Sequence, residues 1–242
     1  MIFHWFVISQ ALSALGMIFF MMASWRLRFN KRSVGVVISI SFGSAIINYL
    51  VIAPKVGLAF IVPLLSFTII FCFLLGVFKK PRKIPVFWSF LLSMYANAAP
   101  FLIQIILLYC SFGFFSAGAL KQHLWRNYLL DSVTGLLLFG VTWLLNKYGI
   151  GFTREFDKLQ FKWEKYIIPP VIGLSALSFS SIILVMDYSD DASFSLPLVI
   201  ASVILAALFL VILWFAIHKE KEEFANYKSK RKGGNLHWPK NL

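Results

Sequence analysis

Sixty per cent of the 242 residues are apolar and 14% are charged, against roughly 45–50% and about 25% in ordinary soluble domains. That balance excludes a soluble globular fold, and at about 20 residues per crossing the length leaves no room for a sizeable soluble domain. The net charge of +13 sits in short blocks between apolar runs, where membrane topology and anionic head groups account for it; with no zinc spacing and no nucleic-acid motif beside it, no nucleic-acid partner is expected.

Apolar runs fall at 5–23, 34–53, 58–78, 86–110, 125–146, 166–186 and 194–217. Each is about as long as a helix needs to cross the hydrocarbon core. The expected fold is therefore an all-α polytopic bundle of about seven transmembrane helices over 1–218, followed by a charged cytoplasmic segment over 219–242. The opening MIFHWF carries no basic stretch of the kind that precedes a cleaved signal, so the first run reads as an uncleaved span.

In the second run Gly35, Ser39 and Gly43 recur every four residues, a small-residue stripe that lets another helix approach closely. Pro54-Lys55-Val56-Gly57 makes a tight hairpin to the third run. Pro63 and Pro100 lie inside spans and are expected to kink them. Asn97 and Gln104 are seven residues apart in the fourth run and share a face, able to bond another helix or a ligand. The following loop, 111–124, carries Phe112, Phe114 and Phe115 and is too apolar to be freely solvated.

Asp131 lies well inside the fifth run, where a charge is costly and faces protein or water. Arg126 and Asn127, about one turn outward, are its expected partners. The group reads either as a ligand site or as a structural Arg–Asp pair. Cys72 and Cys110 fall near opposite faces of the bilayer, too far apart for a disulfide.

Between the fifth and sixth runs, Phe152, Phe156, Leu159 and Trp163 fall within about 60° on a helical projection. Arg154, Lys158, Lys162 and Lys165 lie on the other side. An amphipathic helix over 152–165, flat in the inner membrane interface, is expected. Past it, Asp187, Asp190 and Asp191 make an acidic outer loop.

The last run does not end at the membrane. Leu210, Leu213, Ile217, Glu220, Phe224 and Tyr227 are spaced 3, 4, 3, 4, 3, a heptad seam with one polar member. The last helix is expected to continue about three turns into the cytoplasm and to transmit movement. The end, KSKRKGGNLHWPKNL, reads as a basic coil.

Basic residues give the orientation. With the N-terminus outside, the inner loops hold Arg26, Arg28, Lys31 and Arg32; Lys79, Lys80, Arg82 and Lys83; and Lys147, Arg154, Lys158, Lys162 and Lys165. The tail adds Lys219, Lys221, Lys228, Lys230, Arg231, Lys232 and Lys240, for 20 of the 23 Lys and Arg. Lys55, Lys121 and Arg126 alone fall outside. The split places the C-terminus in the cytoplasm and requires an odd number of crossings.

The spans hold no His and no paired carboxylates, and the chain has no phosphate loop or Ser/His/Asp set. Neither an enzyme nor a metal or other cofactor is expected.

The stretch LVILWFAIHKEKEEFANYKSK, preceded by the acidic loop MDYSDDAS, resembles the exit region of peptide-pheromone sensor histidine kinases of the AgrC/ComD type, from Gram-positive bacteria. The junctions FNKRS and FKKPRKIP are similar in style, and the likeness in topology runs from Met1 to about Lys230. The resemblance implies a plasma-membrane sensor of a quorum-sensing two-component system. A homodimer would bind an extracellular peptide at its outer loops and signal through its last helix. It fixes no individual binding residue. The kinase's phosphoacceptor helix and ATP-binding boxes are not in this sequence, and His237 beside Pro239 is a poor phosphoacceptor. A fragment, a truncated relative and a stand-alone membrane protein stay open. So does a small permease subunit or a bacteriocin-immunity-type protein, although the charge split opposes the even number of spans such subunits have.

Overall fold

The structure is a computed structural model. It describes residues 2–27, 31–52, 61–77, 86–111, 114–115, 123–152 and 195–232, with isolated positions between 166 and 177. The described helices are α1 (Ile2–Ser24), α2 (Lys31–Ile52), α3 (Ile61–Val77), α4 (Val86–Cys110), α5 (Leu124–Tyr148) and α6 (Ser195–Lys232). Hydrocarbon offers the backbone no hydrogen bonds, so apolar stretches of this length satisfy themselves as helices. Among the described residues, five stretches are long and apolar enough to cross a membrane: Phe3–Ser24, Ser33–Leu50, Val86–Cys110, Trp125–Tyr148 and Val203–Glu222. The chain is thus a multi-pass membrane protein by length and composition. The described part of α3 has 17 residues, and the expected span 166–186 lies almost entirely outside the described residues.

Side-chain pairs give the helix directions. Along α1, Gln10 meets Asp131, Gly16 meets Gly135 and Phe19 meets Phe139, so α1 and α5 run parallel. Trp25 packs on Trp88 and Phe20 on Tyr95, which sets α4 antiparallel to α1. Tyr95 stacks on Phe209 and Trp88 packs at a tilt against Phe215, which turns α6 back to the direction of α1. Tyr49, near the end of α2, packs on Phe3 and Phe6 at the start of α1. So α1, α5 and α6 run one way, and α2 and α4 the other.

The hub is α4. It packs against α1, α3, α5 and α6, and its stretch 91–100 is buried throughout. The core gathers where the end of α1 (Met21, Met22, Trp25), the start of α4 (Trp88, Leu91, Leu92) and α6 (Ile212, Phe215) meet. Leu50, Leu136, Trp143, Val203 and Trp214 project outward, as lipid-facing residues of a bundle do.

Pro63 lies within the described part of α3, Ile61–Val77. Two details depart from the sequence expectations. Nothing lies within 4 Å of where a Cβ on Gly35 or Gly43 would stand, so among the described residues no helix uses the α2 stripe. The close crossing is made by Gly16 of α1 and Gly135 of α5 instead. Pro100 does sit within α4, and the helix runs through it.

Candidate functional site

Asp131 stands two turns into α5, half-buried. Its carboxylate accepts hydrogen bonds from two amides on two other helices. Gln10 Nε2 of α1 donates to Oδ2 at 2.6 Å, and Gln104 Nε2 of α4 donates to Oδ1 at 3.0 Å. One acid therefore ties three helices together. The α1–α5 glycine crossing lies one turn further along, and Thr134 there donates to the carbonyl of Leu130 at 2.8 Å. A carboxylate oxygen can accept more than one hydrogen bond, so the node holds capacity for a further donor or cation.

Arg126 does not pair with Asp131, contrary to the expectation from their spacing. Its Nη1 donates to the carbonyl of Phe114 at 3.1 Å. Its guanidinium lies 4.8 Å from the Phe114 ring centroid and 5.5 Å from that of Trp125. Phe114, Phe115 and Trp125 pack edge-on beside it. This apolar and cationic cap sits at the end of the bundle where α5 begins. Asn127 is half-buried beside it, one turn before Asp131.

Asn97 and Gln104 go separate ways. Asn97 Nδ2 turns back onto the carbonyl of Ser93 at 2.8 Å, and Ser93 Oγ does the same onto Ser89 at 2.7 Å. The amide of Asn97 thus serves its own helix, and only Gln104 joins the Asp131 node.

Comparison with protein-family models, curated proteins and solved structures finds no match.

At the other end of the bundle, the chain after α5 folds under the end of α1. Phe152 N–H donates to the carbonyl of Ser24 at 2.8 Å, and the Arg26 guanidinium donates to the carbonyl of Gly149. The Phe152 ring lies 4.9 Å from that of Trp25. Phe152, expected in an interfacial helix, therefore packs on protein in an irregular stretch. Its expected companions Phe156, Leu159 and Trp163 lie outside the described residues. Among the described residues no group of three or more His, Cys, Asp or Glu could hold a metal ion, and Cys72 and Cys110 are both free thiols.

On α6, Leu205, Leu208, Ile212, Phe215 and Lys219 are buried and form the stripe that faces the bundle. The heptad seam read from the sequence is a different face. Leu210 is 63% exposed and Ile217 46% exposed, with Leu213 and Glu220 half-buried at its edge. The side chains of Phe224 and Tyr227 are not among those described. The charge pattern alone puts Lys219 with the solvated tail residues. A second signal in the sequence places it on the buried stripe: it continues the 3-and-4 spacing of Leu205, Leu208, Ile212 and Phe215.

Proposed function

We propose that this protein is a membrane-embedded sensor or receptor module that detects an extracellular signal, a peptide by its resemblance, and passes it on through α6. It works as a homodimer in the plasma membrane of a Gram-positive cell, with its N-terminus outside and seven crossings. The carrying observation is α6 itself: one helix of 38 residues, Ser195–Lys232, whose apolar crossing stops at Glu222. The charged remainder to Lys232, about 15 Å of helix, continues beyond the bundle. A rigid rod joined to the core carries rotation, tilt or translation to whatever lies past it.

The helix directions support the crossing number. Because α1 and α6 are parallel, the start of one and the end of the other lie at opposite ends of the bundle. Antiparallel neighbours α2 and α4 bracket α1, and α2 to α4 in the same direction asks for one return between them, which α3 supplies. Parallel α5 and α6 ask for one more, and the apolar run 166–186 is long enough to provide it. The basic residues of the sequence give the same odd number. In this reading the Arg126–Phe114–Trp125 cap faces outward to the ligand, and the Asp131 node holds the outer halves of α1, α4 and α5 in register.

The exposed seam of α6 is the face a second copy would cover. The test is disulfide cross-linking in native membranes, with Cys72 and Cys110 replaced by Ser. A cysteine at Phe224 is expected to give a covalent dimer on mild oxidation. Uniform failure at every position from Lys221 to Tyr227 would remove the signalling-helix argument.

A further inference from the structure

Long basic side chains at a membrane surface normally extend their charged ends toward water and head groups. Lys219 does the opposite. It is 1% exposed at the inner end of the bundle, while Lys221, two residues on, is exposed. Its Nζ lies 4.7 Å from the ring centroid of Trp88 on α4. Trp88 is itself 1% exposed. Its ring is held from three sides, with Phe215 at 5.4 Å, Trp25 at 5.8 Å and Phe87 at 6.3 Å.

The stripe before Lys219 (Leu205, Leu208, Ile212, Phe215) is apolar. Turning such a stripe toward lipid loses packing but little hydrophobic free energy, because lipid tails are as apolar as leucine. A cation over an indole face is different, since the attraction depends on the ring quadrupole and so on direction. One residue step in a helix is about 100° of rotation. A turn of that size carries Lys219 off Trp88 and swings the Leu210–Ile217 face, roughly 170° away on the same helix. We infer that Lys219 and Trp88 form a latch that fixes the rotational setting of α6 where it leaves the bundle. The released setting is not a bare loss. The freed ammonium reaches the anionic lipid head groups of the inner leaflet, which offsets part of the lost ring contact and leaves the released setting a minor state that a signal can populate, the condition for a switch.

The use of this latch in signalling rests on the sensor reading; the latch is a contact within one chain and is tested within one chain. The full-length protein, with Cys72 and Cys110 replaced by Ser, is placed in nanodiscs containing anionic lipid. Spin labels are attached at Tyr148→Cys and Lys228→Cys, diluted with unlabelled protein, and the distance distribution is measured. Wild type and Lys219→Arg are expected to give one narrow distance. Lys219→Met, which keeps an unbranched side chain one atom shorter and removes the charge, is expected to add a second population above about one-tenth. Trp88→Leu is expected to do the same, and the double variant to do no more than either single one. A single wild-type distance in Lys219→Met protein that remains monodisperse would overturn the latch. Should Trp88→Leu lose its fold, the Lys219→Met and Lys219→Arg pair still decides. Uniform failure of cross-linking from Lys221 to Tyr227 sinks the receptor reading and leaves this distance untouched, so the two failures are distinguishable.

Discussion

Gly16 and Gly135 bring α1 and α5 into backbone contact: a Cβ on Gly16 would stand 2.6 Å from the carbonyl oxygen of Gly135, and a Cβ on Gly135 would stand 2.7 Å from that of Leu12. Alanine is the better helix former by about 0.8–1.0 kcal/mol. Here it meets backbone, which cannot swing aside as a side chain can, and overpacking costs about 1–3 kcal/mol. The clash is the larger effect. Gly16→Ala and Gly135→Ala are expected to lower stability by about 1–2 kcal/mol net. Gly140→Ala, on the same helix with nothing within 4 Å among the described residues, is expected to be neutral or stabilising. Thermal unfolding midpoints in one detergent compare the three. Equal midpoints for Gly135→Ala and Gly140→Ala would contradict the close crossing.

The Asp131 node separates two roles of a carboxylate, charge and hydrogen-bond acceptance. Asp131→Leu leaves the amides of Gln10 and Gln104 without their acceptor. A buried group left unsatisfied costs about 1–3 kcal/mol, while bonds between membrane helices average about 0.6 kcal/mol, because the unfolded chain in the membrane finds partners too. A loss of about 1–2 kcal/mol is expected for the pair. Asp131→Asn keeps one acceptor and adds a donor, which either glutamine can meet by reversing its amide. Its loss should be less than half that of Asp131→Leu, read as the yield and unfolding midpoint of monodisperse protein. Equal losses would mean that the negative charge, and not acceptance, holds the three helices.

Five of the expected spans are legible in the sequence because the bilayer demands one thing of each, a long apolar helix, and that demand is written locally. The fourth run, expected at 86–110, is the helix Val86–Cys110. The continuation of the last run is likewise legible from its charge pattern, and the helix reaches Lys232. Partner choice is not. Proximity in sequence matches Asp131 with Arg126, yet its donors are Gln10, 121 residues away, and Gln104. Both amides have the character of helix glue, but periodicity places a residue on a face without saying which helix that face meets. The α2 stripe looks like a crossing because it repeats; the actual crossing needs only one glycine in each helix, which makes no repeat. Lys219 falls with the tail when its charge is weighed above its position on the helix.

The proposed orientation predicts which positions an aqueous reagent reaches. It assigns His4, at the start of α1, and Cys110, the last residue of α4, to the outer end. It assigns Lys147, near the end of α5, to the inner end. On intact cells a membrane-impermeant maleimide is expected to label Cys110 and an introduced His4→Cys. A Lys147→Cys should label only after permeabilisation, each introduced cysteine being tested with the native pair replaced by Ser. Labelling of Lys147→Cys on intact cells would reverse the bundle, and labelling of His4→Cys and Lys228→Cys from the same side would require an even crossing number.

The C-terminal ends of α1 and α5 are joined by two residues in the left-handed region. Gly149 caps α5 with φ 61°, and Arg26, a non-glycine, is held at φ 44° just after α1. The left-handed conformation costs an ordinary residue about 1–2 kcal/mol. Arg26 accepts that cost where its guanidinium donates to the carbonyl of Gly149. Three substitutions divide the contributions. Gly149→Ala moves the backbone cost onto alanine and is expected to destabilise by about 1–2 kcal/mol. Arg26→Ala loses the tie and keeps the strained backbone. Arg26→Gly loses the tie and relieves the strain, so it should be the more stable of the two by about 1 kcal/mol. Unfolding midpoints in matched detergent rank them. An Arg26→Gly protein less stable than Arg26→Ala would show that the turn after α1 is not strained, and that the tie to Gly149 is made at no backbone cost.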